Sequence, residues 1–293
     1  MPDFATLPAN FASLILASCF YGILIVLFVS TIYFLATRRT LAGKTQTSRH
    51  HFTSLPFLGV TGLFLVITAH WSVVIYQGSF AFIHLGNVVA EENFYSDFSD
   101  KAELVKAALL CASVLLGDSL VIYRLWIIWG RNRYIITFPI FSLACTFVAG
   151  FGTLYEFTQK GPRLRGTTNV LTQIAPWIVT GGVLSLIINL YSTGLIIFRI
   201  CKVTTAIRPT SDSRLMYFLN VLVESAALQT FWLVFGVITE FAKSDAAYAV
   251  YAVSDTFPAI IGIANLLIHA RVGLGWSHDQ TSPSKATGEK AVV

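Results

Sequence analysis

Charge is what this sequence has least of. Asp, Glu, Lys and Arg make up 12% of the chain and apolar residues 55%, against about 25% and roughly 45–50% in soluble domains. A surface so short of charge argues against a soluble domain and for one that faces lipid. The net charge of +5 is small and spread among the connections, so no basic face for a nucleic acid is indicated. Cysteine is scarce as well. Cys19, Cys111, Cys145 and Cys201 all fall in or at the ends of apolar runs, where they read as small packing residues, with neither a disulfide framework nor zinc-ligand spacing. No Asn-x-Ser/Thr sequon occurs, which leaves sidedness to the basic residues alone.

Further absences narrow the chemistry. The last apolar run holds no lysine on which a retinal Schiff base would form. The six histidines are scattered, and His-x-x-x-His and Glu-x-x-His spacings are missing, so intramembrane zinc hydrolysis and a haem relay between facing histidine pairs are both poorly supported. No Gly-rich phosphate loop and no nucleophile elbow are present. The expectation is a protein that is not an enzyme and carries no metal or cofactor.

What the chain does have is seven long apolar runs, at about Phe11–Ala36, Pro56–Tyr76, Glu103–Trp129, Tyr134–Phe157, Gln173–Ile200, Leu215–Phe241 and Ala246–His269. Each is long enough to cross a bilayer. The predicted fold is all-α: residues 1–276 form one integral membrane bundle of seven transmembrane helices, and residues 277–293, rich in Ser, Thr and Lys, form a disordered cytosolic tail. Seven crossings put the termini on opposite sides. Of the 20 Lys and Arg, thirteen fall on the side of the first and third connections and six on the other, with Arg124 set aside. That asymmetry predicts the N-terminus outside and the C-terminus in the cytosol. The first run has no basic residue before it and Arg38 and Arg39 after it, which favours a retained helix over a cleaved signal. The longest connection, Gln77–Ala102, contains the apolar stretch Phe80–Val89, read either as a short interfacial helix over the bundle mouth or as a surface loop.

Ionisable residues inside lipid are the candidates for function, because a charge at that depth costs at least about 2.5–3.5 kcal/mol and so needs a partner or a task. The third run is the richest, with Asp118 and Arg124 in a helix about 40 Å long. Counted from the cytosolic ends, Asp118, Asn189 and Glu224 share one layer within about 3 Å of depth. Such a layer binds a proton, an ion or a polar ligand group, or it is a hydrogen-bonded clasp between helices. Arg124 either snorkels toward the cytosolic headgroups or bridges to Glu224 as a switch pair that parts when the sixth helix moves. In the seventh run Asp255, Gly262 and His269 recur every seven residues on one face. Asn265 follows Gly262 by three, and Pro258 is placed to kink the helix and free a carbonyl. Tyr21, His70 and Trp71 supply aromatic and polar tips suited to a lined cavity.

Several motifs together carry a resemblance. Gly117-Asp118-Ser119 through Tyr123-Arg124-Leu125 and Trp129, Asn189 through Arg199, Glu224-Ser-Ala-Ala-Leu228, Pro258 through Gly262 and Leu266 through Gly275 resemble a large family of seven-helix membrane proteins from mushroom-forming (basidiomycete) fungi. The family has a receptor-like topology and no established ligand, so the resemblance implies topology and little chemistry. Marks of rhodopsin-like receptors are missing. The third run ends in Tyr123-Arg124-Leu125 rather than acid-Arg-aromatic, the seventh has Asn265-Leu-Leu-Ile-His rather than Asn-Pro-x-x-Tyr, and the Thr158–Thr172 loop has no cysteine to pair with Cys111. The expectation is a receptor-like multi-pass protein of a fungal plasma membrane that senses a small or lipidic ligand from outside and presents basic loops to a cytosolic signalling partner or anionic lipid. The rival reading is a proton-coupled transporter or channel that uses Asp118, Glu224 and Asp255 as its path.

Overall fold

In hydrocarbon a backbone satisfies its N–H and C=O groups only within a helix or a closed barrel, and each of the apolar runs forms one helix. The computed structural model describes residues 6–42, 55–85, 94, 100–160, 169–207, 213–241 and 247–277. Among these, seven long helices follow one another: α1 (Thr6–Ala42), α2 (Leu55–Phe80), α3 (Lys101–Ile128), α4 (Arg133–Lys160), α5 (Asn169–Ile207), α6 (Ser213–Phe241) and α7 (Ala247–Ser277). The helices from α1 to α6 each carry a continuous span apolar and long enough to cross a membrane, 20 to 28 residues; the apolar stretch of α7, Ala252–Ile268, is shorter. Large side chains such as Phe141, Phe147, Phe151, Val26 and Phe231 stand exposed on the outside of the bundle, the surface that lipid tails cover.

The helices outrun their apolar runs. α1 begins at Thr6 and ends at Ala42, α5 continues to Ile207, and α7 continues to Ser277 rather than stopping near His269. Hydropathy marks only the part in hydrocarbon, whereas a helix continues into water while no proline or cap stops it. As far as Leu85, the apolar stretch Phe80–Val89 continues the second helix rather than starting a separate one. α2 runs on to Phe80 and through a π-helical turn, Ala81–Leu85, with Gly78 against Leu14, Ala81 fully buried and Phe82 edge-on to Phe11 at 5.4 Å. Burial against α1 holds this extension. Residues 86–93 and 95–99 of that connection and the tail from residue 278 lie outside the described residues.

Two ends show why the chain turns where it does. After Ile128 the amides of Gly130 and Arg131 reach back to Ile127 and Trp126 at 3.0 and 2.9 Å, with both residues left-handed at φ 64°. This is the glycine-terminated helix end that satisfies orphan carbonyls. Asn132 then accepts the Tyr134 amide at 3.1 Å and starts α4. Further in, Pro139 has no N–H for the Ile135 carbonyl, and the Tyr191 hydroxyl of α5 donates to that carbonyl at 3.3 Å.

α3 and α7 are the hub. α3 touches α2, α4, α5 and α7, and α7 touches α1, α2, α3 and α6. From Pro258 to Leu266 every residue of α7 is buried. Leu24, Leu63, Ile67, Leu120, Ile261 and Leu266 pack the core among α1, α2, α3 and α7. Leu125, Ile196, Val221, Leu222 and Ile268 pack a second one toward the Trp129 end.

Candidate functional site

Four buried polar groupings tie the helices together, and they do not form one layer. Asp118 is 1% exposed, and its Oδ1 accepts the Ser185 hydroxyl of α5 at 3.0 Å; its Oδ2 has no hydrogen-bond partner among the described residues. Asn189, one turn beyond Ser185, faces α6 instead, donating to Thr230 Oγ1 at 3.0 Å and to the Ala226 carbonyl at 3.4 Å. Glu224 does not join them: its side chain is exposed on α6. Depth along each helix was equal, but Glu224 is turned about the axis of α6 away from Asp118 and Asn189, and depth does not report that angle. Arg124 points at α7, where its guanidinium donates to the Asn265 carbonyl at 3.2 Å and to Asn265 Oδ1 at 3.1 Å. Asn265 Nδ2 in turn donates to the Ile261 carbonyl at 2.9 Å. On the arginine side these bonds form a clasp between the two hub helices.

The fourth grouping lies near the opposite end of α3 and contains residues that the helix pattern did not single out. Lys106 Nζ is 2.9 Å from Glu103 Oε2 and 3.3 Å from Asp255 Oδ1. Ser13 of α1 donates to Asp255 Oδ2 at 2.7 Å, and Gln77 of α2 donates to Glu103 Oε2 at 3.0 Å. Four helices meet in this cluster, with Lys106 8% exposed and the side chain of Asp255 9% exposed. The second Lys106 contact is an ion pair without hydrogen-bond alignment, because Asp255 Oδ1 is buried and accepts no hydrogen bond among the described residues. By position Lys106 looks like one more basic residue near a helix end. The signal that could have found it was the i,i+3 spacing to Glu103, together with a carboxylate in α7 that needed a cation.

A cavity of about 200 Å³ begins at this cluster and runs down between α3, α4, α5, α6 and α7. It exceeds the roughly 150 Å³ that suffices for benzene. Glu103, Lys106, Asp255 and His70 line its polar end; Leu110, Val114, Phe157, Trp177, Trp232 and Phe257 wall its length; Ser185, the partner of Asp118, lies at its far end. Lys106 and Asp118 are twelve residues apart on α3, about 18 Å. Small residues contribute to its lining: Thr146, Gly150 and Thr153 from α4, Gly181 and Gly182 from α5, and Gly236 from α6. Thr146 and Thr153 donate their hydroxyls to their own helix, to the Ser142 and Ala149 carbonyls at 3.0 and 3.1 Å, so they offer methyl groups to the cavity. Tyr21 and Trp71, expected as cavity tips, stack on each other at 4.3 Å and bond to Thr68 and Ser18 between α1 and α2. Only their neighbour His70 reaches the cavity. The face of α7 with Asp255 and Gly262 is divided too: Asp255 meets α1 and α3, while Gly262 abuts Leu24 and Ile67. The side chain of His269 lies outside the described residues.

Among the described residues no group of three His, Cys, Asp or Glu is placed to hold a metal ion. Lipid-facing helices around a buried polar interior define a multi-pass integral membrane protein. Compared with known protein families, curated proteins and solved structures, the chain matches none.

Proposed function

We propose that this is a receptor-like membrane protein that binds a small amphiphilic or lipidic molecule inside the helical bundle, in the plasma membrane of a mushroom-forming fungus, with the Lys101 end of α3 facing outward. The observation that carries the reading is the cavity between α3 and α7 whose walls are apolar and whose one end holds the Glu103, Lys106 and Asp255 cluster. An apolar enclosure with a few convergent polar groups is the usual form of a small-molecule site. Both hub helices contribute to it, so an occupant that alters the Lys106 to Asp255 pair alters how α1, α2, α3 and α7 are tied. The cytosolic basic loops would pass that change to a signalling partner.

The test is native mass spectrometry of the protein extracted from host membranes in mild detergent, beside a Thr146→Phe variant whose ring fills the cavity. A small adduct on the wild-type protein that is absent from T146F is the expected result; identical spectra would overturn the reading. One observation favours transport instead: Asp118 lies beyond Ser185 at the inner end of the same cavity with an oxygen to spare. Proton flux in proteoliposomes that disappears in Asp118→Asn would move the assignment to that class.

A further inference from the structure

The polar end of the cavity carries an unequal set of charges. Glu103, Lys106 and Asp255 have a formal charge of minus one together, and among the described residues the other titratable side chains lining the cavity are His70 and Cys111. Lys106 is already shared between two acids, at 2.9 and 3.3 Å. Glu103 Oε2 also receives Gln77, and Asp255 Oδ2 receives Ser13. Asp255 Oδ1 faces the Lys106 ammonium at 3.3 Å and accepts no aligned hydrogen bond among the described residues; it belongs to a side chain more than nine-tenths buried that lines the cavity, and it keeps acceptor capacity for a second donor. An incoming anion would meet two carboxylates and one ammonium that is engaged on both sides. An incoming ammonium would share that carboxylate oxygen with Lys106 and restore neutrality, in a cavity whose walls also include Trp232, Trp177 and Phe257; aromatic ring faces attract cations.

We propose that the cavity is selective for a primary or secondary amine on a compact apolar body, with the ammonium donating to Asp255 Oδ1 and the body running along α3 toward Ser185. This rests on the reading of the cavity as a ligand site and names the chemistry of the group that site takes. The apolar walls from Leu110 to Phe257 set the size of the body, since the space of about 200 Å³ exceeds the roughly 150 Å³ that holds benzene. A single buried carboxylate facing a desolvated cation discriminates by charge, because the like-charged alternative leaves two acids uncompensated.

Three probes of nearly equal size separate the possibilities: 2-phenylethylamine, neutral 2-phenylethanol and anionic phenylacetate. Binding to the purified full chain in nanodiscs is followed by isothermal titration and by the shift in Tm. The amine is expected to bind saturably, the alcohol at least about tenfold more weakly, and phenylacetate not at all over the same range. Asp255→Asn should remove about thirty-fold or more of the amine affinity, so that the amine no longer binds more tightly than the alcohol. The wild-type probe series decides the matter even if that variant fails to fold. Equal binding of amine and alcohol, both lost in T146F, would overturn charge selectivity and leave the cavity reading standing. Phenylacetate binding best would also overturn the amine assignment. If none of the three binds, the amine proposal fails, and the mass-spectrometric comparison of wild type with T146F decides the cavity separately.

Discussion

Gly117 and Gly262 set how closely the hub helices approach. A Cβ at Gly117 would run into Ile261 of α7, and one at Gly262 into Leu24 of α1 and Ile67 of α2. At Gly194, which is exposed on α5, an added Cβ meets nothing within 4 Å. Overpacking a filled interior costs about 1–3 kcal/mol. Gly262→Val should therefore lower the Tm of the detergent-solubilised protein by several degrees, whereas Gly194→Ala leaves it unchanged or slightly higher, since alanine is the better helix former. Equal shifts would mean that α1, α2 and α7 are not in contact at Gly262. At this scale the sequence was only partly legible. Asp118, Asn189 and Asp255 stand out as polar residues in apolar runs and are buried or nearly so, but the same reasoning selected Glu224, which is exposed, and passed over Lys106 and Glu103. A side chain's depth follows from counting residues; the direction it faces depends on which helices surround it.

Prolines and polar side chains at the level of whole helices work in pairs drawn from different elements. Pro139 withholds a hydrogen bond from Ile135, and Tyr191 of α5 supplies it at 3.3 Å, with its ring 4.9 Å from Phe138. Interhelical hydrogen bonds in membrane bundles are worth about 0.6 kcal/mol on average and up to about 1.7. Tyr191→Phe should destabilise by an amount in that range. In a Pro139→Ala background the restored amide serves the Ile135 carbonyl, so the same change should cost less. Denaturation of the four proteins gives the coupling, and additive effects would show that the hydroxyl is not compensating for the proline. Trp129 makes a similar link, donating to the Leu195 carbonyl at 3.3 Å while Arg199 lies over its ring at 5.4 Å. A proline inside an apolar run is visible to anyone reading the chain. Which residue serves the freed carbonyl is not, because the donor is 56 positions away.

The bundle as a whole has α3 and α7 inside and the other helices around them, and the buried groupings divide along its length. The Lys106 cluster lies near one end and the Arg124 to Asn265 clasp toward the other, with Asp118 between them. Reporter fusions should place the two chain ends in different compartments, the N-terminus outside. Both reporters in one compartment would contradict seven crossings, and an inverted result would put the cavity's charged end in the cytosol. The sequence by itself determined that the chain is a helical membrane protein, since scarcity of charge and runs longer than a bilayer leave few other states in which backbone groups are satisfied. It also picked out Asp118, Arg124 and Asp255 as ionisable residues inside apolar runs. Tertiary structure alone decided that these residues pair in separate clasps rather than in one layer, and that small side chains of α4, α5 and α6 line a space beside Lys106 and Asp255. Hydrophobicity acts on each residue independently, whereas a cavity or an ion pair depends on the rotation of several helices about their own axes, which is set only when all of them pack.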